Sequence, residues 1–464
     1  MKRLLLLISI LYVERLYAQD VNSLFNSFYK KFAADKSMQH AISSIYVINS
    51  STGKVVANEN IQTGLAPASC QKVIIASSAY ELLGHKYIYK TSLYYTGKIV
   101  NGVLDGDIII KGSGDPTLGS WRYDTTAEDS VISEFTKAIS RKGINEIKGH
   151  VYADDNLWKG EATPDGWIWQ DIGNYYGAGA RSINWRENQY DLLLRAGKQP
   201  GDPVESSGTR PAFIEGLHLK VVATSGEKES GDNAYIYLPL DQASAYVRGT
   251  IPVDKNPFTI SGAMPHPAKQ LAITLEAAIK KIPAQKVALT FPDITGKYDT
   301  IHLLYVHNSP PLDSINYWFL KRSINLYGEA LLKTMAYEFA KAGSTDSGVS
   351  IIKKFWWKKG IDPGSMNIID GSGLSPANRV TTAALVNVMQ FSKNQSWFPS
   401  FYNALPEING LKMKSGSIGG VVSYTGFINS KTGASYTFAF VVNNFDGNAN
   451  DIRKKMWKLL DLLK

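Results

Sequence analysis

Residues 65–72 read LAPASCQK, and the apolar run that follows them has the spacing of a buried helix that Gly84 would end. Pro67 suits the first turn of that helix. Ser69 and Lys72 lie three residues apart, so we expect their side chains to share one face. A serine hydroxyl becomes a good nucleophile when a base removes its proton, and a lysine in a suitable environment can be that base. The stretch therefore predicts a nucleophile and its base, although a lone Ser-x-x-Lys match is a weak signal.

Strand patterns lie on both sides of this helix along the chain. Residues 42–49 and 53–58 form two β-like runs around a turn rich in Ser and Gly, which predicts a hairpin. Two more strand-like runs, 423–429 and 435–443, precede an amphipathic helical pattern at 450–464. We expect the two ends of the chain to form one α+β domain in which helices flank an antiparallel sheet.

The middle of the chain has a different composition. Residues 91–300 contain many short β-like runs with turn residues between them and are rich in Gly, Trp and Tyr, which predicts large, mostly β inserts. The predicted division assigns residues 19–90 and 301–464 to the main domain, 91–160 and 255–300 to an inserted β domain, and 161–254 to a second, nested insert.

Two short motifs in the last part of the chain carry further chemistry. Ser323-Ile324-Asn325 falls in a predicted turn between two helices, where a second hydroxyl can relay a proton and an amide can bind a substrate backbone; a helix cap is the alternative. Lys414-Ser415-Gly416-Ser417 lies in an extended run, so Lys414 and Gly416 share a face. A lysine there can attract a carboxylate and the glycine admits another backbone, whereas the alternative is a solvated turn.

In their order and spacing, the three motifs resemble the S-x-x-K, S-x-N and K-T-G set of penicillin-binding proteins and serine β-lactamases. The long gap after the first motif is similar to that of D-Ala-D-Ala carboxypeptidases of the penicillin-binding protein 4 type, peptidase family S13. Other stretches also resemble this family: KGSGDPTL at 111–118, YGA at 176–178 with SIN at 182–184, NSPPL at 308–312 and DGSGLS at 370–375.

The resemblance implies a penicillin-binding, serine β-lactamase-like catalytic domain and a role for each motif residue. Ser69 is the implied nucleophile, Lys72 its base, and Ser323 the donor of a proton to the leaving amine. The implied substrate-binding residues are Asn325, Lys414, Ser415, Gly416 and Ser417. Among these, the Ser417 N–H would form an oxyanion hole with that of Ser69. The implied chemistry needs no metal ion or organic cofactor.

Three positions depart from the family pattern. Ile324 stands where S-D-N has Asp, and Ser415 replaces the usual Thr but keeps its hydroxyl. Pro376 stands where relatives often have an Arg associated with the diamino-acid end of the peptide. The expected substrates are peptidoglycan stem peptides and the expected inhibitors are β-lactam antibiotics. The balance between carboxypeptidase and endopeptidase activity is left open.

Other functions remain as alternatives at this stage. A related serine β-lactamase or esterase would use the same motifs. A peptidoglycan- or glycan-binding pseudoenzyme would instead use aromatic side chains of the middle region, namely Trp121, Trp158, Trp167, Trp169 and Trp185. A thiol enzyme built on Cys70, the single cysteine, would need a histidine that no motif places nearby.

The N-terminus and the charge balance indicate where the protein works. Lys2 and Arg3 precede an apolar run, and Ala18 offers a cleavage site, so residues 1–18 are predicted to be a signal peptide of a protein exported to the periplasm. An uncleaved anchor is the alternative. No later stretch is long and apolar enough to cross a membrane. The net charge of +9 comes from dispersed residues, so no nucleic-acid partner is expected.

Overall fold

The computed structural model describes residues 22–158, 160–239, 244–280 and 300–464. The predicted signal peptide, 1–18, lies outside these residues. The chain divides into two compact units. The first unit consists of the chain up to Leu82, Asn316–Ser323 and Val349–Lys464; the second consists of Leu83–Ile315 and Ile324–Gly348. The boundaries predicted for a catalytic domain and two nested inserts stay predictions.

An antiparallel sheet of six strands forms the centre of the first unit. In spatial order its strands are Glu407–Ile408, Leu411–Ile418, Val421–Asn429, Ser435–Asn443, Ile42–Asn49 and Val55–Glu59. The hairpin predicted near the N-terminus is confirmed by the pairing of the last two. On one face, Phe440 and Val442 pack with Phe25 of a helix over residues 22–33 and with Met456 near the C-terminus. On the other face, the hydroxyls of Ser44 and Thr382 lie 2.6 Å apart.

Helices surround this sheet, as the sequence predicts. The helices of the first unit are residues 22–33, Lys72–Leu82, Thr382–Lys393, Phe398–Ala404 and Ala449–Leu460, together with most of Thr345–Lys358. Short 3₁₀ turns cover Lys36–Met38, Ala68–Gln71, Pro363–Ser365 and Asp461–Leu463. Among the described residues, no helix is both long enough and apolar enough to cross a bilayer.

The second unit is rich in β structure and has its own core. One four-stranded sheet consists of Ile301–Asn308, Lys90–Thr96, Ile108–Lys111 and Val151–Asp154, and a second of His218–Val221, Ser244–Pro252, Thr224–Gly226 and Asn233–Tyr237. One three-stranded sheet consists of Glu205–Arg210, Gln189–Arg195 and Phe258–Ala263, and another of Lys98–Val100, Val103–Asp105 and Glu146–Ile147. Its helices are Glu128–Arg141, Trp169–Ile172, Pro267–Lys280 and Asn325–Ala340. The helix Leu312–Lys321 is shared between the two units.

Candidate active site

The turn that carries Ser69 is a short 3₁₀ segment, Ala68–Gln71, which leads directly into the helix Lys72–Leu82. Side chains three residues apart are eclipsed in 3₁₀ geometry. Lys72 Nζ accordingly donates a hydrogen bond of 2.9 Å to Ser69 Oγ. It also donates a bond of 2.6 Å to the carbonyl oxygen of Ser372, and its side chain is fully buried. The predicted common face of the serine and the lysine is confirmed.

Ala68, the residue before the serine, has left-handed backbone geometry with φ of 45°. That conformation is uncommon for a residue with a Cβ and costs free energy unless its surroundings maintain it. Gly373 packs directly against this residue, since a Cβ at position 373 would lie only 2.0 Å from the carbonyl oxygen of Ala68. A glycine is therefore required where the second loop meets the serine turn.

Asp370 holds that second loop in place and is completely buried. Its carboxylate accepts hydrogen bonds from the backbone N–H groups of Gly373 at 2.7 Å and Ser375 at 2.6 Å. Gln71 Nε2, one residue before Lys72, donates to the Asp370 carbonyl oxygen at 2.6 Å. The DGSGLS stretch thus positions the Ser372 carbonyl that binds Lys72. No role was predicted for Asp370 or Ser372 from the sequence. The pattern that could have indicated one is Asp370 followed by a serine between two glycines.

The strand Leu411–Ile418 lies against the other side of the serine turn. A Cβ on Gly416 would come within 2.6 Å of the Pro67 carbonyl oxygen and 2.8 Å of the Ser69 nitrogen. The backbone that approaches Gly416 closely is that of the serine turn itself, and the binding of a substrate backbone at Gly416 stays a prediction. Ser423 Oγ donates to the Pro67 carbonyl oxygen at 2.6 Å, which fixes the same turn to the neighbouring strand.

Lys414 is a buried cation beside this turn. Its side chain is 1% exposed, and Nζ donates to the Ser415 carbonyl oxygen at 2.8 Å. Burial lowers the pKa of Lys414 to about 8. Cys70 is also buried, and its thiol donates to the Lys414 carbonyl oxygen at 3.2 Å. Burial raises the pKa of Cys70 to about 11, so the neutral thiol acts as a packing group and donor rather than as a nucleophile.

One edge of the Lys414 strand is open beyond its first residues. The short strand Glu407–Ile408 pairs only with Lys412 and Leu411. In the described parts of the chain, no other strand pairs with Lys414–Ile418 on that side. An exposed row of backbone N–H and C=O groups can accept an extended peptide as an added strand.

Ser323 lies in the turn that the sequence predicts, between the helices Leu312–Lys321 and Asn325–Ala340, and Asn325 is the first residue of the second helix. Ser323 has φ of 58°, and Ile324 is the extended N-cap residue. Asn325 Nδ2 donates to the carbonyl oxygen of Tyr176 at 2.8 Å, within the second unit. The contacts described above join Ser69 to Lys72 and to the Lys414 strand, whereas the roles of Ser323 and Asn325 rest on their motif.

Comparison with known proteins identifies relatives of this arrangement. The sequence model of the D-Ala-D-Ala carboxypeptidase 3 (S13) family matches residues 29–463. D-alanyl-D-alanine carboxypeptidase DacB of Haemophilus influenzae is 26% identical over 433 residues, which cover 88% of this chain and 86% of that protein. A D-alanyl-D-alanine carboxypeptidase of Actinomadura sp. (strain R39) is 24% identical over 440 residues, covering 89% and 80%.

A solved structure shares the architecture. The crystal structure of penicillin binding protein 4 (dacB) from Haemophilus influenzae matches with a TM-score of 0.77 at 23% identity, covering 92% of this chain and 97% of that one. The predicted fold class, a penicillin-binding type of α+β catalytic domain with large inserts, is confirmed by this match.

Proposed function

The chain belongs to the D-Ala-D-Ala carboxypeptidase 3 (S13) family, and from this premise we propose that it removes the terminal D-Ala of peptidoglycan stem peptides through an acyl-enzyme on Ser69. The observation that carries this assignment of residues is the 2.9 Å hydrogen bond between Lys72 Nζ and Ser69 Oγ. The distance lies within the range in which a base can take a proton from a nucleophile.

Acylation begins when Lys72, as a neutral amine, takes the proton of the Ser69 hydroxyl. The Ser372 carbonyl oxygen binds one N–H of this amine at 2.6 Å and so orients the nitrogen toward Ser69. Ser69 Oγ then forms a bond to the carbonyl carbon of the penultimate D-Ala. Backbone N–H groups of Ser69 and Ser417 stabilise the negative charge on the carbonyl oxygen.

The acyl-enzyme forms when the C–N bond to the terminal D-Ala breaks. Ser323 passes a proton to the departing amine, and the released product is free D-Ala. Water then attacks the ester on Ser69, and the serine regains its proton as the shortened peptide leaves with a carboxylate. Each step moves only protons and one acyl group, so the cycle returns the enzyme unchanged.

The substrate is proposed to add as a strand along Lys414–Ile418. Its backbone pairs with the open edge, Asn325 orients it, and Lys414 and Ser415 bind its terminal carboxylate. Gly416 contributes by allowing this strand to lie against the serine turn. β-Lactams are proposed to acylate the same serine, because their strained amide presents a carbonyl and a carboxylate in a similar arrangement.

The setting of this activity is proposed from the sequence. We propose that residues 1–18 direct export to the periplasm and are removed, so that the mature protein meets peptidoglycan there. Removal of residues 1–18 takes away Lys2, Arg3, Arg15 and Glu14, so the net charge of +9 becomes +7, which still suits an environment of anionic envelope polymers.

Digestion of purified muropeptides tests the function. The protein is incubated with an uncross-linked pentapeptide muropeptide and, separately, with a cross-linked dimer, and the products are weighed by mass spectrometry. Loss of one alanine from the pentapeptide is the expected result, and conversion of the dimer to monomers would add endopeptidase activity. A wild-type protein that leaves both substrates intact would contradict the proposal.

A further inference from the structure

Arg453, on the C-terminal helix Ala449–Leu460, reaches the KSGS motif. Its Nη2 donates a hydrogen bond of 3.0 Å to Ser417 Oγ. Its Nη1 donates to Asn450 Oδ1, one turn earlier on the same helix, at 2.5 Å. Ser417 is exposed and Arg453 is half-buried, so both side chains are accessible to solvent.

The charge on Arg453 has no anionic partner in the described part of the chain. Both hydrogen-bond acceptors given above are neutral, and no carboxylate of the described residues lies within 4.0 Å of its guanidinium as an ion pair. Lys414 is likewise bound to a carbonyl oxygen. Two cations, Lys414 on the strand and Arg453 on the C-terminal helix, therefore have described partners that are neutral, an arrangement that attracts an anion.

The two cations approach the strand from opposite faces of the sheet. Ser415 pairs with Tyr424 and Ser417 with Val422, so the side chains of Ser415 and Ser417 lie on one face. Lys414 lies on the other face, which is the face of Gly416 and the serine turn. Arg453 therefore supplies positive charge from the side that Lys414 does not serve.

Ser417 can donate a hydrogen bond to a ligand while its oxygen is bound to the Arg453 guanidinium. Its oxygen accepts the N–H of Arg453, which leaves its own O–H available as a donor. A hydroxyl that accepts from a cation is polarised and becomes a stronger donor. The Ser417 hydroxyl can donate one hydrogen bond and the Arg453 guanidinium another, so the pair can bind the two oxygens of a carboxylate.

We propose that Arg453, acting together with Ser417, is a second binding residue for the terminal carboxylate of the peptide substrate. This inference rests on the proposed function and adds to it a specificity determinant from outside the three motifs. Lys414 binds the carboxylate from the face of the serine turn, and Arg453 binds it from the opposite face, beside the exposed Ser417 near the end of the strand.

The test compares Arg453→Gln with wild type on two peptides that end in D-Ala-D-Ala, one with a free carboxylate and one amidated. Loss of a charge-assisted bond predicts that kcat/KM falls about tenfold on the free acid, chiefly through KM, and less than about twofold on the amide. Lys454→Gln, on the same helix, removes the same charge from an exposed neighbour and should change neither. Arg453→Lys should recover part of the loss.

Ser417→Ala should show the same selective loss, and the double variant Ser417→Ala, Arg453→Gln should lose little more than either single variant, because the two side chains act as one unit. Equal losses on acid and amide, or a Lys454→Gln effect as large as that of Arg453→Gln, would overturn the role of Arg453 while leaving the proposed function standing. Absence of D-Ala release by wild-type protein would overturn the function itself, and this inference with it.

Discussion

At the scale of single residues, two glycines determine how closely the serine turn is held. Gly373 packs against Ala68, and Gly416 packs against Pro67 and Ser69. At both glycines the neighbouring backbone lies too close to leave room for a Cβ atom. These contacts place the nucleophile without using a bond to its hydroxyl, which stays available for Lys72.

Gly416→Ala should disable acylation. Its Cβ would lie 2.8 Å from the Ser69 nitrogen and 2.6 Å from the Pro67 carbonyl oxygen, so the turn must move. Because a displacement of about 1 Å can cost about a hundredfold in rate, we expect at least that loss in the rate of labelling by a fluorescent penicillin. Gly419→Ala is the matched control, since nothing lies within 4 Å of a Cβ there, and it should label at the wild-type rate. Normal labelling of Gly416→Ala would show that the close contact is not needed.

Lys414 gives a pH dependence whose sign follows from its burial. Its pKa is lowered to about 8, so its positive charge is present below that pH and is lost as the pH rises through it. Cys70, with a pKa of about 11, and Tyr424, with a pKa of about 12, stay neutral over that range. The ratio of kcat/KM for free-acid over amidated peptide should therefore fall by up to about tenfold between pH 7 and pH 9. In Lys414→Ala the ratio should be lower and flat, and a wild-type ratio independent of pH would contradict carboxylate binding by Lys414.

At the scale of elements, the loop around Asp370 is a rigid support for the base. The two carboxylate oxygens of Asp370 accept the buried N–H groups of Gly373 and Ser375, one each. Asp370→Asn replaces one of these oxygens with an NH₂ group, so one of the two N–H groups loses its acceptor. Leaving a buried donor without an acceptor costs about 2–3 kcal/mol, so the free energy of unfolding in urea should fall by that amount, and penicillin labelling should slow because the Ser372 carbonyl shifts.

Asp362→Asn is the control for this loop. Asp362 caps a short turn by accepting the Gly364 N–H at 2.8 Å, and Asn caps about as well as Asp, so the loss should stay below about 0.5 kcal/mol. Equal stability of the Asp370 and Asp362 variants would contradict the supporting role of the loop.

Some elements of the fold can be predicted from the sequence, and some contacts between them cannot. The hairpin at 42–59, the serine helix and the turn at Ser323 follow from local periodicity and turn residues, which are read directly along the chain. The order and spacing of the three motifs predicted the fold class through their resemblance to a known family. The roles of Asp370 and Arg453 were not predicted, because their hydrogen-bond partners are defined only in the folded chain. Asp370 binds Gly373 and Ser375, and Arg453 binds Ser417.

At the scale of the whole molecule, the chain passes repeatedly between two units. Ser323 ends a short segment of the first unit, and Ile324 begins a segment of the second. Residues 324–348 lie in the second unit. Apolar periodicity could not assign this segment to a unit, because a buried helix has the same pattern in either one. The fold is shared with penicillin binding protein 4 of Haemophilus influenzae at only 23% identity.

The proposed mechanism depends on acylation of Ser69. The most direct measurement incubates the intact protein with benzylpenicillin, digests it and locates the added penicilloyl mass by tandem mass spectrometry. One adduct is expected on Ser69; it should be absent in Ser69→Ala and retained in Cys70→Ser, where a hydroxyl replaces the buried thiol. An adduct on Cys70 or on any other serine, or labelling that survives Ser69→Ala, would contradict the assignment of Ser69 as the nucleophile.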